Sequence, residues 1–197
     1  MKIGLLLAAG LSERFGAANK LLEDLGGRPL ITYAATVLQA LELDRLIAVI
    51  SDEEAAPYLT DFAIRLHPSP DDGLGSSLAI GARAAQQQNA HRLLVLLADM
   101  PFVTKRHCEE VLERCSNTLP SASMLGDRTT PPVCFPEGML PALMELTGPF
   151  GAKNLLANLP DTAFVKADAA TLADIDTPAQ LAHWQAKRPL ATDHRLQ

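Results

Sequence analysis

The sequence has little of several features that mark common classes of protein. Its 17 lysines and arginines face 23 aspartates and glutamates, giving a net charge of −6. Proteins that bind nucleic acids or anionic membranes normally carry a basic surplus, so we expect no nucleic-acid partner and no membrane attachment. No apolar run approaches the ~20 residues that span a bilayer. A content of 48% hydrophobic residues, in turn, excludes a disordered chain.

Cysteine is also scarce, with only Cys108, Cys115 and Cys134, and no two of them have Cys-x-x-Cys spacing. On a straight helix the first two would lie ~10.5 Å apart along the axis. That separation is too large for a disulfide, so we expect reduced, structural thiols in a cytoplasmic protein. The short apolar run at 3–7 is interpreted as a buried strand and not as a secretion signal.

Two common nucleotide-binding motifs are absent. Gly10 and Gly16 have the wrong spacing for G-x-G-x-x-G, and Lys20 comes too late after Gly16 for G-x-x-x-x-G-K-[ST]. These absences argue against a Rossmann dehydrogenase and a P-loop NTPase. The five histidines form no pair with metal-ligand spacing and no Ser-His-Asp set, so we expect them to be surface or packing residues.

Along the first half of the chain, apolar runs alternate with helical patterns. Near-continuous apolar runs predict fully buried parallel strands at 3–7, 46–50, 63–66 and 93–97. Helical patterns lie between them at 30–41, 53–60 and 76–88. This order indicates an α/β layered domain.

The second half of the chain is less regular. Thr104 is a plausible N-cap for a helix at 105–115. The proline-rich stretch that follows predicts a short strand pair and small helices, with the prolines at edges and turns. We expect one domain over 1–188 and a flexible C-terminal tail over 189–197.

The most informative motif follows the first predicted strand and reads Leu7-Ala8-Ala9-Gly10, then Ser12, Arg14 and Lys20. Small residues at a strand end let the backbone approach a ligand closely, with free N–H groups. The two cations add charge-assisted donors. The motif predicts a phosphate cradle, and the alternative is an ordinary strand-to-helix turn with surface cations.

Two acidic motifs supply candidate metal ligands. Asp99 ends the predicted strand at 93–97, where a carboxylate suits Mg²⁺, although an Asx-turn or helix cap is the alternative. Asp176, in Asp174-Ile175-Asp176-Thr177-Pro178, is the second candidate. There the alternative is that Asp176 or Thr177 caps a helix beginning at Pro178. Capping and metal binding are compatible if two acids at this turn divide the roles.

A glycine- and serine-rich segment, with Gly75, Ser76 and Ser77, opens the predicted helix at 76–88. Its free N–H groups could hold a base or phosphate. Taken alone, a plain serine N-cap is the simpler interpretation.

Together these motifs resemble the nucleotidyltransferase family that includes the molybdenum cofactor guanylyl- and cytidylyltransferases. The resemblance is carried in chain order by Leu7-Ala8-Ala9-Gly10, Ser12, Arg14, Lys20, Gly75-Ser76-Ser77, Ala98-Asp99-Met100-Pro101, Pro132-Val133, Gly151-Ala152-Lys153 and Asp174-Ile175-Asp176-Thr177-Pro178. It implies a Rossmann-like three-layer nucleotidyltransferase fold, with a mostly parallel central sheet and a small acceptor-side strand pair. It also implies Mg²⁺-dependent transfer of a nucleoside monophosphate from an NTP.

The resemblance further implies roles for individual residues. Lys20, Arg14 and Asp99 would be catalytic, and Asp99 with Asp176 would hold the metal. The nucleotide would be bound by Ala8, Ala9, Gly10, Ser12, Arg14, Lys20, Gly75, Ser76 and Ser77. The Leu-Ala-Ala-Gly form resembles the cytidylyl branch, which implies CTP and molybdopterin. The segments 128–133 and 148–153 depart from that branch, and both would face the acceptor.

Several alternatives stay open. Within transferases they are a guanylyltransferase using GTP and a cytidylyltransferase for a sugar phosphate or methylerythritol phosphate. A nucleotide-sugar glycosyltransferase would use Asp174 and Asp176 for Mn²⁺, and a nucleotide-binding module would need no metal acids. The expected partners are the small-molecule substrates, with a molybdoenzyme or chaperone as a possible protein partner.

Overall fold

The computed structural model describes residues 1–10, 12–16, 19–157 and 159–187. The predicted tail at 189–197 therefore lies outside the described residues. The strands are β1 Lys2–Ala8, β2 Arg45–Ile50, β3 Ala63–Leu66, β4 Arg92–Leu97, β5 Ser121–Leu125, β6 Arg128–Pro136 and β7 Phe164–Lys166. The α-helices are α1 Ile31–Gln39, α2 Gly73–Gln87, α3 Lys105–Arg114, α4 Leu140–Met144 and α5 Pro178–Lys187. Short 3₁₀ turns cover Glu13–Phe15, Lys20–Leu22, Glu53–Tyr58, Pro70–Asp72, Glu137–Met139, Lys153–Leu156 and Asp161–Ala163.

The seven strands form one sheet in the order β3-β2-β1-β4-β6-β5-β7. Strand β1 pairs in parallel with β2 and β4, and β2 pairs in parallel with β3. Strand β6 is antiparallel to both β4 and β5, while β7 is parallel to β5. The mostly parallel α/β fold predicted from the sequence is confirmed.

Helices cover both faces of the sheet. Alternate residues of β1 point to opposite faces, so Leu6 belongs to one apolar cluster and Leu5 to the other. The cluster around Leu6 includes residues of α1, α3 and α5, and the cluster around Leu5 includes residues of α2 and α4. A Cβ at Gly81 of α2 would lie 2.4 Å from Cδ2 of Leu5, so a larger residue here would displace the buried Leu5 side chain. This burial on both faces explains the near-continuous apolar composition of β1.

Two predicted elements differ from the structure. Strand β3 lies at the edge of the sheet and is not fully buried, since Leu66 is 51% exposed. The predicted helix at 53–60 is instead the 3₁₀ segment Glu53–Tyr58, which contains Pro57. A proline inside a helix removes a backbone donor and clashes with the preceding turn, which disfavours an α-helix here. In contrast, Thr104 caps α3 as predicted, accepting a hydrogen bond from the His107 N–H.

The proline-rich strand β6 corrects a further prediction. The β5–β6 strand pair exists, but β6 lies inside the sheet, between β4 and β5, and not at an edge. The ladder tolerates Pro131 and Pro132 because the register with β5 shifts there, leaving both opposite no residue of β5. Strand β7, three residues long, was not predicted. Among the described helices, none is long and apolar enough to cross a membrane.

Candidate active site

A cavity of about 450 Å³ opens where β1 and β4 end. Ligands of open α/β sheets bind at this carboxyl edge. Most of the predicted site residues line the cavity, namely Ala8, Ala9, Gly10, Ser12, Arg14, Lys20, Ser77, Asp99 and Asp176. A Cβ at Gly10 would meet no described atom within 4 Å, so the space beside this backbone is open.

The loop after β1 is shaped by the Ser12 residue. Its backbone takes a positive φ of 53°. Its carbonyl accepts a hydrogen bond from the Phe15 N–H at 2.7 Å, and its hydroxyl oxygen accepts one from the Lys20 N–H at 3.2 Å. Ser12 therefore lies in the predicted site, and its hydroxyl positions the backbone of Lys20.

A second contact holds Lys20 from the other side. The Asn19 side chain accepts a hydrogen bond from the Leu21 N–H, which begins the 3₁₀ turn Lys20–Leu22. The same side chain donates to Asp52 Oδ2 at 2.9 Å. The backbone of Lys20 is therefore held by the Ser12 hydroxyl and by the turn that Asn19 caps. Its side chain lines the cavity.

The centre of the cavity is an ion cluster of Lys20 with two carboxylates. Lys20 Nζ lies 2.7 Å from Asp99 Oδ2 and 2.7 Å from Asp176 Oδ1. The side chains of Lys20, Asp99 and Asp176 are 9%, 19% and 37% exposed. Arg14 adds a weaker contact, with its guanidinium 3.4 Å from Asp176 Oδ2 at the solvent-exposed rim. The structure therefore brings together the four charged residues that the sequence singled out.

In the cluster, the single ammonium of Lys20 faces the two carboxylates of Asp99 and Asp176. Burial alone would lower the pKa of Lys20, but the carboxylates of Asp99 and Asp176 outweigh it and raise that pKa. Burial raises the pKa of Asp99 more than the attraction of Lys20 lowers it. In addition, Asp99 Oδ1 is buried and has no hydrogen-bond partner among the residues described. A further cation beside this oxygen would compensate a buried and incompletely paired charge.

The structure shows which residue of the acidic turn caps the following helix. Thr177 caps α5, because its hydroxyl oxygen accepts from the Gln180 N–H at 3.2 Å. The Asp176 N–H donates to Gln180 Oε1, which leaves the Asp176 carboxylate free to contact Lys20. The Ile175 N–H donates to the Asp99 carbonyl at 2.9 Å, so this turn is joined to the end of β4.

The first turn of α2 was predicted to hold a base or phosphate through Gly75, Ser76 and Ser77, and the structure differs from this prediction. The helix begins at Gly73, so Ser76 is not its N-cap. The Gly75 N–H donates to the Gly148 carbonyl, and the Ser76 hydroxyl contacts His67 and the Gly73 carbonyl. Gly75 and Ser76 are therefore occupied within the protein and lie outside the cavity lining. Of the three predicted residues, only Ser77 lines it.

The candidate metal ligands can be compared with the needs of Mg²⁺. The described part of the chain holds no group of three or more histidine, cysteine or carboxylate side chains placed for a metal ion. Mg²⁺, however, often binds one or two carboxylates together with substrate phosphates and water. Asp99 and Asp176 fit that donor set, because both reach the same ammonium and Asp99 has an unpartnered oxygen.

A second cavity, of about 470 Å³, adjoins the first and shares Leu7, Leu74, Leu97 and Pro149 with it. The rest of its lining is Leu78, Val95, Arg128, Thr129, Thr130, Pro131, Val133, Phe135, Phe150, Ala152, Lys153 and Leu156. Both divergent segments, 128–133 and 148–153, meet here. The sequence did not predict that apolar residues of α2 and β4 line this cavity, because cavity-lining and core residues are equally apolar.

Comparison of the chain with known proteins identifies the family to which it is similar. The pattern of the MobA-like NTP transferase domain matches residues 4–163. The chain is 30% identical over 192 residues to purine catabolism protein PucB of Bacillus subtilis (strain 168), covering 90% of this chain and 93% of that protein. It is 30% identical over 185 residues to a molybdenum cofactor guanylyltransferase of Pseudomonas fluorescens (strain Pf0-1), covering 90% of each.

The fold comparison agrees. The crystal structure of Rv0371c from Mycobacterium tuberculosis H37Rv matches with a TM-score of 0.79 at 20% identity, covering 93% of this chain and 96% of that one. The family predicted from the motifs is thus confirmed, while the cytidylyl branch stays a prediction. The chain belongs to the MobA-like NTP transferase domain family and is a nucleotidyltransferase.

Proposed function

We propose that the protein transfers CMP from CTP to a phosphate group of a molybdopterin-type acceptor, with Mg²⁺ as cofactor, and releases pyrophosphate. The observation that carries this proposal is the cluster of Lys20, Asp99 and Asp176 at the carboxyl edge of the sheet. It joins a phosphate-binding cation with two candidate metal ligands in one cavity. The open backbone at Gly10 lies in the same cavity.

In the proposed reaction an oxygen of the acceptor phosphate attacks the α-phosphorus of CTP. A P–O–P bond forms, the bond from the α-phosphorus to the oxygen bridging it to the β-phosphorus breaks, and pyrophosphate leaves with that oxygen. No protein nucleophile is needed, so positioning and charge neutralisation supply the catalysis. Mg²⁺, when bound, neutralises charge on the phosphate oxygens.

The protein's own groups would act as follows. The backbone at Ala9 and Gly10 would receive the triphosphate, as small residues at a strand end allow close approach. Lys20 and Arg14 would neutralise its charge. Asp99 and Asp176 would hold the metal ion. Ser77 would border the nucleotide from the side of α2.

The adjoining cavity is the proposed acceptor site. Its described lining contains the cations Arg128 and Lys153 and no carboxylate. Apolar walls suit a ring system, and the two cations suit its phosphate. The cavity borders the proposed nucleotide site along Leu7 and Leu97, which would place an acceptor next to the α-phosphate.

GTP is the second candidate for the nucleotide. The Leu7-Ala8-Ala9-Gly10 form favours CTP through its resemblance to the cytidylyl branch. The relative from Pseudomonas fluorescens is named a guanylyltransferase, which favours GTP. Both nucleotides would use the same charged residues, so the choice depends on the base and not on the phosphates.

The test is transfer of label from each of the four NTPs, labelled at the α-phosphorus, to molybdopterin in the presence of Mg²⁺. We expect labelled product and pyrophosphate with CTP. Product with GTP alone would transfer the proposal to the guanylyl branch. Absence of product with every NTP, from a protein that still binds them, would contradict the proposed acceptor.

A further inference from the structure

We propose that Lys20 is an internal cation that occupies, in the ligand-free protein, the position that the metal ion needs between Asp99 and Asp176. The nucleotide triphosphate then draws the ammonium away, so that metal and nucleotide bind as coupled ligands. This inference rests on the metal site of the proposed function.

The geometry places the ammonium at the meeting point of both carboxylates. Lys20 Nζ is 2.7 Å from one oxygen of Asp99 and 2.7 Å from one oxygen of Asp176. A single cation, the ammonium of Lys20, therefore already bridges those two oxygens. A divalent cation in the same place would compete for the same lone pairs. It would also lie beside a like charge, which is unfavourable in a partly buried site.

The side chain can vacate this position without unfolding the loop. The backbone of Lys20 is held by the Ser12 hydroxyl and by the turn that Asn19 caps. The four-carbon stem of lysine is flexible and carries its charge at a single point. The ammonium can therefore move to a phosphate while its backbone stays in place.

The unpartnered oxygen of Asp99 indicates that lysine is an incomplete substitute. Lys20 contacts Oδ2, whereas Oδ1 is buried and without a partner among the described residues. An ammonium approaching one oxygen leaves the other uncompensated. A metal ion and its water ligands could satisfy both, once a triphosphate has provided an alternative counter-ion for Lys20.

The consequence is reciprocal coupling. A triphosphate that attracts Lys20 raises the affinity of the carboxylates for the metal, and the metal raises the affinity for the triphosphate by the same factor. Without nucleotide, the positive charge of Lys20 should weaken metal binding. Removing that charge should therefore strengthen it, which is opposite to the effect expected if Lys20 only supports the site.

The experiment is titration of Mn²⁺, followed by electron paramagnetic resonance, into the whole chain and its Lys20→Met variant. Each is measured with and without the α,β-methylene analogue of CTP. We expect Lys20→Met to bind Mn²⁺ about tenfold more tightly than the unaltered protein without nucleotide. The analogue should strengthen Mn²⁺ binding to the unaltered protein more than to the variant. Mn²⁺ should also raise the melting temperature of Lys20→Met more than that of the unaltered protein.

The matched control is Lys105→Met, which removes the same charge from the exposed surface of α3. It should bind Mn²⁺ as the unaltered protein does. Lys20→Gln, which keeps a hydrogen-bond donor, replaces Lys20→Met if that variant does not fold. Equal or weaker Mn²⁺ binding by the Lys20 variant would overturn the inference.

An Asp99→Asn variant separates this failure from failure of the proposed metal site. If Mn²⁺ binding is lost in Asp99→Asn but is unchanged by Lys20→Met, the metal site stands and the inference is wrong. If Asp99→Asn binds Mn²⁺ as well as the unaltered protein, the metal lies elsewhere. The inference and the metal site of the proposed function are then both wrong.

Discussion

The two adjoining cavities differ in how they are built. The first is charged, and its key groups come from distant parts of the chain, with Lys20 and Asp176 separated by 156 positions. The second is mainly apolar, with walls from α2, β4 and β6 and two cations, Arg128 and Lys153. Under the proposed function, the charged cavity would perform the chemistry and the apolar cavity would bind the acceptor.

The boundary between the cavities is shared. Leu7 and Leu97, from the ends of β1 and β4, line both, as do Leu74 of α2 and Pro149. Phe150, beside Pro149, is 73% exposed and belongs to the apolar lining. Changes within one cavity should therefore affect one substrate, and changes at the boundary should affect both.

The largest effect is expected from Asp99→Asn in the charged cavity. The substitution removes a charge that is half-buried and contacts Lys20. Turnover at saturating substrates should fall by about 100-fold or more, or ~2.7 kcal/mol of transition-state stabilisation. Pyrophosphate release measures it, with Asp161→Asn on the exposed surface as the control. A decrease of less than about threefold would remove Asp99 from the proposed machinery.

A smaller effect is expected from Gly75→Ala, which lies outside both linings but directly follows the boundary residue Leu74. A Cβ here would lie 2.6 Å from the Thr147 carbonyl oxygen and 2.9 Å from that of Gly148, which precedes the shared residue Pro149. The free energy of unfolding should decrease by about 1–3 kcal/mol, although alanine favours helices. Urea denaturation measures this decrease, and the KM values of both substrates should rise. Gly138→Ala, where a Cβ meets open space, should change neither.

Substitution in the apolar cavity should affect one substrate. Lys153→Met and Arg128→Met each remove a cation from the proposed acceptor site. Each should raise the KM of the acceptor by about fivefold, or ~1 kcal/mol, as for one exposed charged contact. The KM of CTP should stay the same, and Lys105→Met should change neither. A rise in the KM of CTP alone would contradict the division between the cavities.

The smallest effect, on stability at low pH, is expected from Asp52→Asn. The Asp52 carboxylate accepts a hydrogen bond from Asn19, which caps the turn that holds Lys20. A hydrogen bond from Asn19, followed by one from the Glu54 N–H, lowers the pKa of Asp52 below its ordinary value of 3.8. A carboxyl with a lowered native pKa stabilises the fold fully above its unfolded pKa. That contribution is lost as the pH falls from the ordinary value through the native one. The Asp52→Asn variant should therefore lose less of its free energy of unfolding than the unaltered protein as the pH falls below about 4, measured by urea denaturation. If the pH dependence of the free energy of unfolding is unchanged in the variant, the hydrogen bond between Asn19 and Asp52 does not stabilise the fold.

Much of the charged cavity could be predicted from the sequence. Apolar runs located β1 and β4 to within one residue at each end. Because the carboxyl ends of parallel strands meet at one edge of the sheet, Asp99 and the loop after β1 had to be neighbours. The position of Asp176 beside them came from the family resemblance and not from any local pattern.

Other features depend on contacts that no local pattern carries. The Gly75 N–H, which the sequence predicts to be free for a ligand, donates to the Gly148 carbonyl. The interior strand β6 accommodates Pro131 and Pro132 through a register shift against β5. The direct contact of Lys20 with both carboxylates follows from three distant segments meeting at one point.

The central claim, that one charged cavity holds both metal and nucleotide, is tested most directly by anomalous scattering. Crystals would be grown with Mn²⁺ and the α,β-methylene analogue of CTP. We predict an anomalous peak between Asp99 and Asp176, with Lys20 Nζ moved from that position onto the triphosphate. A peak away from both carboxylates, or a triphosphate bound outside the cavity beside Gly10, would contradict the account.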